Sequence, residues 1–213
     1  MKTLVLHPQD FTTDFLKPIY ANIKRKTVLS KNVSRSKLLA AVRSHDTIIM
    51  LGHGSPSGLF NVSGIGKDIM VVDESLVEEL RDKQLIAIWC NADKFIERHN
   101  LTALYSGMFI SEVSEARYCG VQGDQVMVDE SNNVFAALLG TTLGAAYVDF
   151  KEVHSLVGES YEELGEVNAV AKYNSDRWYY KEKHNTSFID KQCKTISRLI
   201  SKTFGLHNTI TYI

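Results

Sequence analysis

Two reactive side chains each follow an apolar run of the sequence. His53 comes after "TIIMLG" and directly before Gly54, and Cys90 comes after "LIAIW". A thiol becomes a good nucleophile as a thiolate, and a neighbouring imidazole can take its proton or stabilise the anion. Acyl transfer also needs N–H donors where the carbonyl oxygen becomes negative, and the amides of Gly54 and Cys90 are candidates. These residues predict nucleophilic attack on a carbonyl, provided that the fold brings them together.

The elements around both residues predict such a fold. Short apolar runs rich in β-branched residues alternate with segments at helical spacing, which is typical of βαβ units and a mainly parallel sheet. Strands are predicted at residues 3–7, 26–30, 46–51, 84–90 and 103–111. Adjacent parallel strands end at the same edge of a sheet, and the segment between His53 and Cys90 is long enough for a crossover. We therefore expect the imidazole and the thiol at one edge.

The connections between these strands carry helix and hairpin signals. Ser34 is a candidate N-cap for a helix that continues to Ser44, and a second helix is predicted at residues 74–83. Between them, the glycine-rich residues 63–66 separate two strand-like runs, which predicts a β-hairpin after the histidine.

The second half of the sequence is predicted to be mostly helical. A helix at residues 129–140 is expected to begin near Ser131 or Asn132, which are suitable N-cap residues. Beyond Phe150 the spacing is helical, and residues 188–200 place their apolar side chains on one face, so we expect this last helix to pack on the domain.

The order of these features resembles the clan CD cysteine peptidases, which include caspases, metacaspases, legumain, gingipains, separase and the CHAT domains. Their signature is an apolar strand followed by His-Gly and then a second apolar strand followed by Cys, here "TIIMLGHG" and "LIAIWCNAD". The resemblance covers residues 1–144. It implies a caspase-like three-layer αβα sandwich with a mainly parallel central sheet at residues 1–150, and a C-terminal helical extension at 151–213 that packs on the same domain.

The same resemblance implies a cysteine endopeptidase that acts on a peptide or protein substrate without a metal or other cofactor. Carried over residue by residue, it makes His53 the general base or ion-pair partner, Gly54 an oxyanion donor, and Cys90 the nucleophile and second donor. Trp89 precedes the cysteine where many members have a small residue, and Asn91 follows it. We expect both to border the substrate, and a catalytically silent caspase-like module that binds or regulates a partner is the alternative.

The stretch from Tyr105 to Glu130 bears on substrate preference. It carries five acidic residues (Glu112, Glu115, Asp124, Asp129 and Glu130) against a single base, Arg117. An acidic pocket would accept a Lys or Arg side chain before the cut, as in the gingipain, metacaspase and separase branches that the chain resembles. Asp124, beside a glycine in a predicted loop, is the first candidate for that contact, and Glu112 is the second. The alternative is a solvated acidic loop.

Three further interpretations of the sequence compete with the peptidase hypothesis. "GHGS" also resembles the metal-binding motif of small chelatases, but that motif closes the first strand of its domain, and no HxxxH or HxH spacing supplies further ligands. An α/β-hydrolase needs a GxSxG nucleophile elbow, which the sequence lacks. A non-enzymatic module could bind a partner through basic C-terminal helices, with Trp178, Tyr179 and Tyr180 on its surface.

Composition narrows the classes further. A formal net charge of -1 gives no general attraction to nucleic acid or to an anionic membrane. The N-terminal apolar stretch is too short for a secretory signal, and no apolar run is long enough to span a bilayer. Three widely spaced cysteines fit neither a disulfide framework nor a CxxC metal site, so we expect a cytoplasmic protein with reduced thiols.

Overall fold

A six-stranded sheet forms the centre of the protein in the computed structural model, which describes residues 2–31, 34–61, 70–145 and 148–182. The strands are β1 Thr3–Leu6, β2 Lys26–Leu29, β3 Thr47–Leu51, β4 Gly54–Ser55, β5 Gly58–Phe60, β6 Met70–Val72, β7 Gln84–Ile88, β8 Ala103–Ser106 and β9 Trp178–Lys181. The central sheet has the order β2-β1-β3-β7-β8-β9, and β4, β5 and β6 form a small second sheet.

The first five strands of the central sheet are parallel, and β9 pairs antiparallel with β8 at the edge. β3 is buried along its whole length because apolar and β-branched side chains occupy both of its faces. The chain reverses its direction of travel across the sheet between β1 and β3. Open α/β sheets bind ligands beside the carboxyl ends of the strands at such a switch point.

Helices cover both faces of the sheet. They are the 3₁₀ helix Phe11–Leu16, α1 Pro18–Ala21, α2 Arg35–Arg43, the 3₁₀ helix Glu74–Leu76, α3 Val77–Leu80, α4 Ala92–Arg98, α5 Val113–Tyr118, α6 Gln125–Leu143, α7 Phe150–Gly165 and α8 Ala169–Ser175. The helices α2, α3 and α4 contribute Leu38, Leu80 and Phe95 to the core on one face. On the other face, α1, α6 and α7 contribute residues such as Ile19, Phe135 and Val157. The expected α/β class and three layers are therefore present.

Helix α6 begins earlier than the sequence predicts. The expected N-caps, Ser131 and Asn132, are buried inside the helix, and Asp124 is the N-cap instead. Its carboxylate accepts a hydrogen bond from Met127 N at 2.9 Å, which satisfies one of the free amides of the first turn. Ser131 forms a hydrogen bond with the Tyr161 hydroxyl inside the core. The prediction was wrong here because both polar residues serve buried contacts.

The aromatic residues Trp178, Tyr179 and Tyr180 lie in a strand and not in a helix as predicted. Residues with bulky rings pack well on a half-buried pleated surface, and Tyr179 pairs with Tyr105 across β8 and β9.

Met1–Lys181 forms one compact unit. The predicted end of the α/β domain at residue 150 is therefore followed by helices of the same unit. The predicted hairpin tip at 63–66 and the helix at 188–200 lie outside the described residues.

Buried Asn174 fixes the segment that follows β8. Its Oδ1 accepts a hydrogen bond from Ile110 N at 2.7 Å, and its Nδ2 donates to Ile110 O at 2.9 Å. The amide thereby satisfies both backbone groups of a residue that no strand pairs. This contact positions the chain that runs on into α5.

Within the described part of the chain, no helix combines the length and the apolar character needed to cross a membrane.

Candidate active site at the carboxyl edge of the sheet

His53 and Cys90 occupy equivalent positions on neighbouring strands. Leu51 of β3 is in register with Ile88 of β7, and Gly52 N still donates to Ile88 O at 3.1 Å, so each reactive residue lies two positions beyond the last pair. Both line one cavity of about 20 Å³, together with Thr13, Phe15, Leu16, Gly52, Ile88, Trp89, Phe109 and Ser111. A cavity of this size holds about one water molecule. The fold thus brings His53 and Cys90 to the same small space.

The His53 ring is held by residues that follow β1. Its Nε2 lies 2.6 Å from Oγ1 of Thr12, and that hydroxyl donates its own proton to Asp10 Oδ1 at 2.8 Å. Because a hydroxyl has a single proton, Thr12 must accept from His53. Nε2 therefore carries a hydrogen, and Nδ1 of the neutral ring is the nitrogen able to take a proton. Asp10 and Thr12 together orient the imidazole.

Asp10 is itself fixed by the start of the first 3₁₀ helix, of which it is the N-cap. Thr12 N donates to its Oδ1 at 2.9 Å, in the short turn that Asp residues favour at such positions. Burial alone would raise the pKa of Asp10, but the hydrogen bonds from Thr12 and the nearby His53 lower it overall. The carboxylate stays ionised and supports the His53 ring from 3.8 Å.

The Cys90 thiol faces a different set of partners. Its Sγ lies 3.5 Å from both Phe109 O and Glu115 Oε1, and its single S–H can donate weakly to one of them at a time. Burial, followed in effect by the charge of Glu115, raises the pKa of Cys90 to about 12. In this resting arrangement Cys90 is a neutral thiol at physiological pH, and its acceptors are groups other than His53.

Glu115 is held in place beside the thiol by the start of α5. Its Oε2 accepts from Ser111 N at 2.7 Å, from Ser111 Oγ at 3.0 Å and from Glu112 N at 3.2 Å. Three donors to one oxygen fix the carboxylate and leave Oε1 facing Cys90. The sequence pointed to Glu115 only as one acid among five, because its approach to Cys90 depends on the path of the chain after β8.

Gly54, the predicted oxyanion donor, lies in strand β4 directly after His53. Phe60 N donates to His53 O at 2.8 Å, so the neighbouring pair Gly54 and Leu59 is the non-hydrogen-bonded pair of the β4–β5 ladder. The Gly54 N–H therefore points away from β5. A Cβ on Gly54 would lie 2.2 Å from Trp89 Cδ1, so only glycine fits against the indole.

Trp89 and Asn91, both predicted to border a substrate, have structural contacts. Trp89 is buried, donates from Nε1 to Ser55 O at 3.1 Å and packs edge-on against Phe95. Its indole supports the hairpin from the core side, and Trp89 also lines the cavity that holds His53 and Cys90. Asn91 adopts a left-handed φ of 66°, which asparagine tolerates well, and its half-buried side chain lies beside Met108.

A larger cavity of about 500 Å³ adjoins this site and shares Phe15 and Ser111 with the small one. Glu112 lines this larger cavity. Asp124, the first candidate for that pocket, is instead the exposed N-cap of α6, and the acid that α6 places in the wall is Asp129. Because α6 begins at Gln125, Asp129 lies about 1.4 helical turns beyond the N-cap Asp124.

Asp10 and Thr12 were not among the predicted site residues. The sequence does carry a signal for them, since "QDFTT" closely follows a predicted strand at the same sheet edge.

Among the described residues, no group of three His, Cys, Asp or Glu side chains is arranged to hold a metal ion. Comparisons of the chain with protein-family models, with curated proteins and with solved structures found no match.

Proposed function

We propose that this chain is a caspase-like cysteine endopeptidase with Cys90 as nucleophile and His53 as base. The observation that carries the proposal is that the two residues follow adjacent parallel strands at equivalent positions and line one cavity. Further support comes from the antiparallel pairing of β5 with β6 after the histidine and from the reversal of strand order beside β1. Clan CD enzymes, which the sequence resembles, place their dyad on consecutive strands in this way.

The proposed reaction begins when Cys90 Sγ attacks the carbonyl carbon of a peptide bond. The thiol proton passes to Nδ1 of His53, and the carbonyl oxygen becomes an anion that the amides of Gly54 and Cys90 stabilise. The tetrahedral adduct then expels the amine, which takes the proton from His53, and a thioester remains on Cys90. Water, deprotonated by His53, releases the acid and restores the thiol.

The resting thiol must first turn from Phe109 and Glu115 towards His53. Either acceptor lies 3.5 Å from the sulfur, which is a weak donor with a single S–H, so little stabilisation opposes a rotation of the side chain. Asp10 and Thr12 hold the imidazole ready for the proton. In such an enzyme, the Cys90 thiol stays neutral in its resting position until a substrate reaches the site.

A catalytically silent caspase-like module is the second candidate. A Cys90 pKa of about 12, a cavity of only about 20 Å³ and a tryptophan packed on Gly54 all favour it. Such a module would bind a peptide or protein at the same edge and leave it uncut. It retains the fold and the binding surface of the first candidate, so only turnover separates the two.

A mixture-based peptide library separates these candidates. The full chain is incubated with the library and the new amino termini are identified by mass spectrometry, in parallel with Cys90→Ala, His53→Ala and the control Cys119→Ala. We expect cleavage by the wild type and by the control, and none by the other two variants. No cleavage by any variant would exclude the peptidase in favour of the silent module, and cleavage that survives Cys90→Ala would exclude Cys90 as the nucleophile.

A further inference from the structure

A cavity at the amino ends of the strands, here called the basal cavity, lies at the edge of the sheet opposite the proposed active site. Thr3 and Thr47, the first residues of β1 and β3, line it, and its volume is about 330 Å³. Small-molecule sites have volumes of about 300 to 1,000 Å³, so the basal cavity has room for a small ligand. Among the described residues, none lines both this cavity and the one at His53 and Cys90.

Apolar side chains from several parts of the fold line the basal cavity. They are Ile23 after α1, Ile49 of β3, Ile86 of β7, Leu143 of α6, and Val148 and Phe150 around the start of α7. Ile49 and Ile86 are at most 1% exposed, so the cavity reaches into the core that α6 and α7 cover. Such a space offers water few hydrogen-bond partners and favours an apolar group instead.

Two bases border the same cavity. Lys24 and Arg25 line it and are exposed, which places its mouth at the segment between α1 and β2. Among the residues that the structure describes, neither base forms an ion pair with an acidic side chain. No Asp or Glu of the described ranges lines the cavity. Two cations without acidic partners attract an anion.

The segment that carries these bases is held in place. Lys26 Nζ donates to Ala21 O at 2.9 Å and to Ile23 O at 3.0 Å, which closes the turn after α1. Thr3 N donates to Arg25 O at 3.0 Å and joins the segment to β1. The backbone of Arg25 is therefore fixed beside the cavity, and a ligand needs to order only the side chains of the two bases.

Two acids lie next to lining residues in the sequence, but both are engaged by backbone amides. Asp46 accepts a hydrogen bond from Lys2 N at 2.8 Å. Asp149, the N-cap of α7, accepts hydrogen bonds from two amides of the first turn at 2.8 Å and 3.3 Å. These contacts leave Lys24 and Arg25 available to an anion from solution.

We propose that the basal cavity binds a medium-chain carboxylate, with its tail in the apolar interior and its head group on Lys24 and Arg25. A water molecule occupies about 30 Å³ of liquid, so a volume of about 330 Å³ holds roughly eleven groups of that size. Octanoate, with ten non-hydrogen atoms, fits this space. Its two oxygens match the fork of a guanidinium, and the lysine adds a second positive charge. This binding does not rest on the proposed function, because it takes place at the other edge of the sheet.

Isothermal titration calorimetry on the full chain tests the head group. The probes are octanoate, 1-octanol and octylammonium, which share a chain of eight carbons and differ in charge. We expect octanoate to bind at least tenfold more tightly than octylammonium, with 1-octanol between them. Binding of octanoate that is no tighter than that of octylammonium, or no binding of octanoate at millimolar concentration, would overturn the proposal.

A series of carboxylates tests the tail. From butyrate to octanoate the affinity should rise about fourfold with each methylene, as burial of a methylene predicts. The rise should stop by dodecanoate, because the cavity is then full. An affinity that is independent of chain length would reduce the site to a surface ion pair, and a rise that continues to hexadecanoate would indicate unspecific adsorption. Either result would contradict the proposal.

Two matched variants test the contribution of the bases. Arg25→Gln removes one charge from the mouth of the cavity and should weaken the binding of octanoate about fivefold, the usual upper value for one exposed ion pair. Lys31→Gln removes the same charge beyond the carboxyl end of β2, so the affinity should not change. Equal losses in both variants would indicate a diffuse effect of net charge and contradict the assignment.

A photoreactive probe locates the tail. An octanoate analogue with a diazirine at its terminal carbon is cross-linked to the full chain, and the labelled peptides are identified by mass spectrometry. We expect labels in peptides that contain Ile49, Ile86 or Phe150, and we expect excess octanoate to suppress them. Labels confined to other parts of the chain, such as Phe11 and Phe15 beside the proposed active site, would overturn the proposal.

Discussion

The Thr12 hydroxyl accepts a hydrogen bond from His53 Nε2 at 2.6 Å and donates one to Asp10 Oδ1 at 2.8 Å. This contact joins the turn after β1 to the turn after β3, and it leaves His53 Nδ1 as the basic nitrogen. The acid and the imidazole of the site are therefore linked through a hydroxyl, with the carboxylate Oδ2 3.8 Å from the ring. Every catalytic role assigned to His53 depends on this orientation.

Replacing Thr12 with Val removes the hydroxyl and keeps the shape of the side chain. The imidazole then loses its fixed orientation, and we expect kcat for a cleaved peptide to fall about tenfold to a hundredfold with a small change in KM. Thr12→Ser, which keeps the hydroxyl, is the control and should retain most of the activity. A kcat for Thr12→Val within a factor of two of the wild type would contradict the orienting role.

Replacing Glu115 with Gln removes the negative charge beside the thiol. Burial is the larger cause of the raised pKa and remains, so we expect that pKa to fall by about one unit and Cys90 to be alkylated about tenfold faster at pH 8. Site-resolved mass spectrometry after iodoacetamide treatment over a range of pH measures this rate. Glu130→Gln on α6 is the control, and an identical profile in both variants would show that Glu115 does not hold the thiol proton.

A methyl group on Gly54 should disrupt the hairpin. The added Cβ would lie 2.2 Å from Trp89 Cδ1 and 2.6 Å from Gly58 O, so indole or backbone must move, at a cost of about 2 kcal/mol in the free energy of unfolding. Gly158→Ala is the matched control, because the nearest atom lies 4.0 Å away and alanine favours helix α7. Urea denaturation measures both, and a Gly54→Ala variant as stable as the control would contradict the packing described.

Buried His7 should make stability depend on pH. Burial lowers its pKa from 6.5 to about 4, because the ring lies between Tyr20 and Thr13 in the core. Below pH 6.5 the unfolded chain binds a proton that the folded chain does not, so this contribution to stability is complete above pH 6.5 and is lost as the pH falls towards 4. The loss amounts to about 2 to 3 kcal/mol.

Urea denaturation at pH 7 and at pH 4.5 measures this dependence. Replacing His7 with Gln changes the overall stability, but the informative quantity is the difference between the two pH values. We expect that difference to be about 2 kcal/mol smaller in the variant than in the wild type. The same difference in both proteins would mean that His7 is not buried in its neutral form.

Much of the sheet edge could be predicted from local patterns. The runs that precede His53 and Cys90 are apolar, short and bounded by turn residues. Strands of this kind can be recognised from their own residues, without knowledge of distant contacts. The alternation of runs and amphipathic segments likewise predicts a parallel sheet. For the same reason the helix capped by Ser34 begins where the sequence predicts it, at Arg35.

The surroundings of the site could not be predicted in the same way. Glu115 reaches Cys90 only because Asn174, more than fifty residues later in the chain, fixes the segment at Ile110. The sequence predicts Asp124 in a loop beside the pocket. A single sequence does not show that α6 begins at Gln125, which makes Asp124 the N-cap of that helix. The sequence predicts a helix where β9 lies. These residues form a strand because they pair with β8, which lies far earlier in the chain, and a local pattern does not show such a pairing.

Cys90 and His53 are proposed to act together on a carbonyl. An arginyl acyloxymethyl ketone reacts with a thiol that is activated beside a base in a substrate-like geometry, and intact-mass and peptide-level spectrometry identify the labelled residue. We expect one adduct, on Cys90, which forms in the wild type and at least a hundredfold more slowly in His53→Ala. An adduct rate at Cys90 that is unchanged in His53→Ala, or labelling confined to the other cysteines, would contradict it.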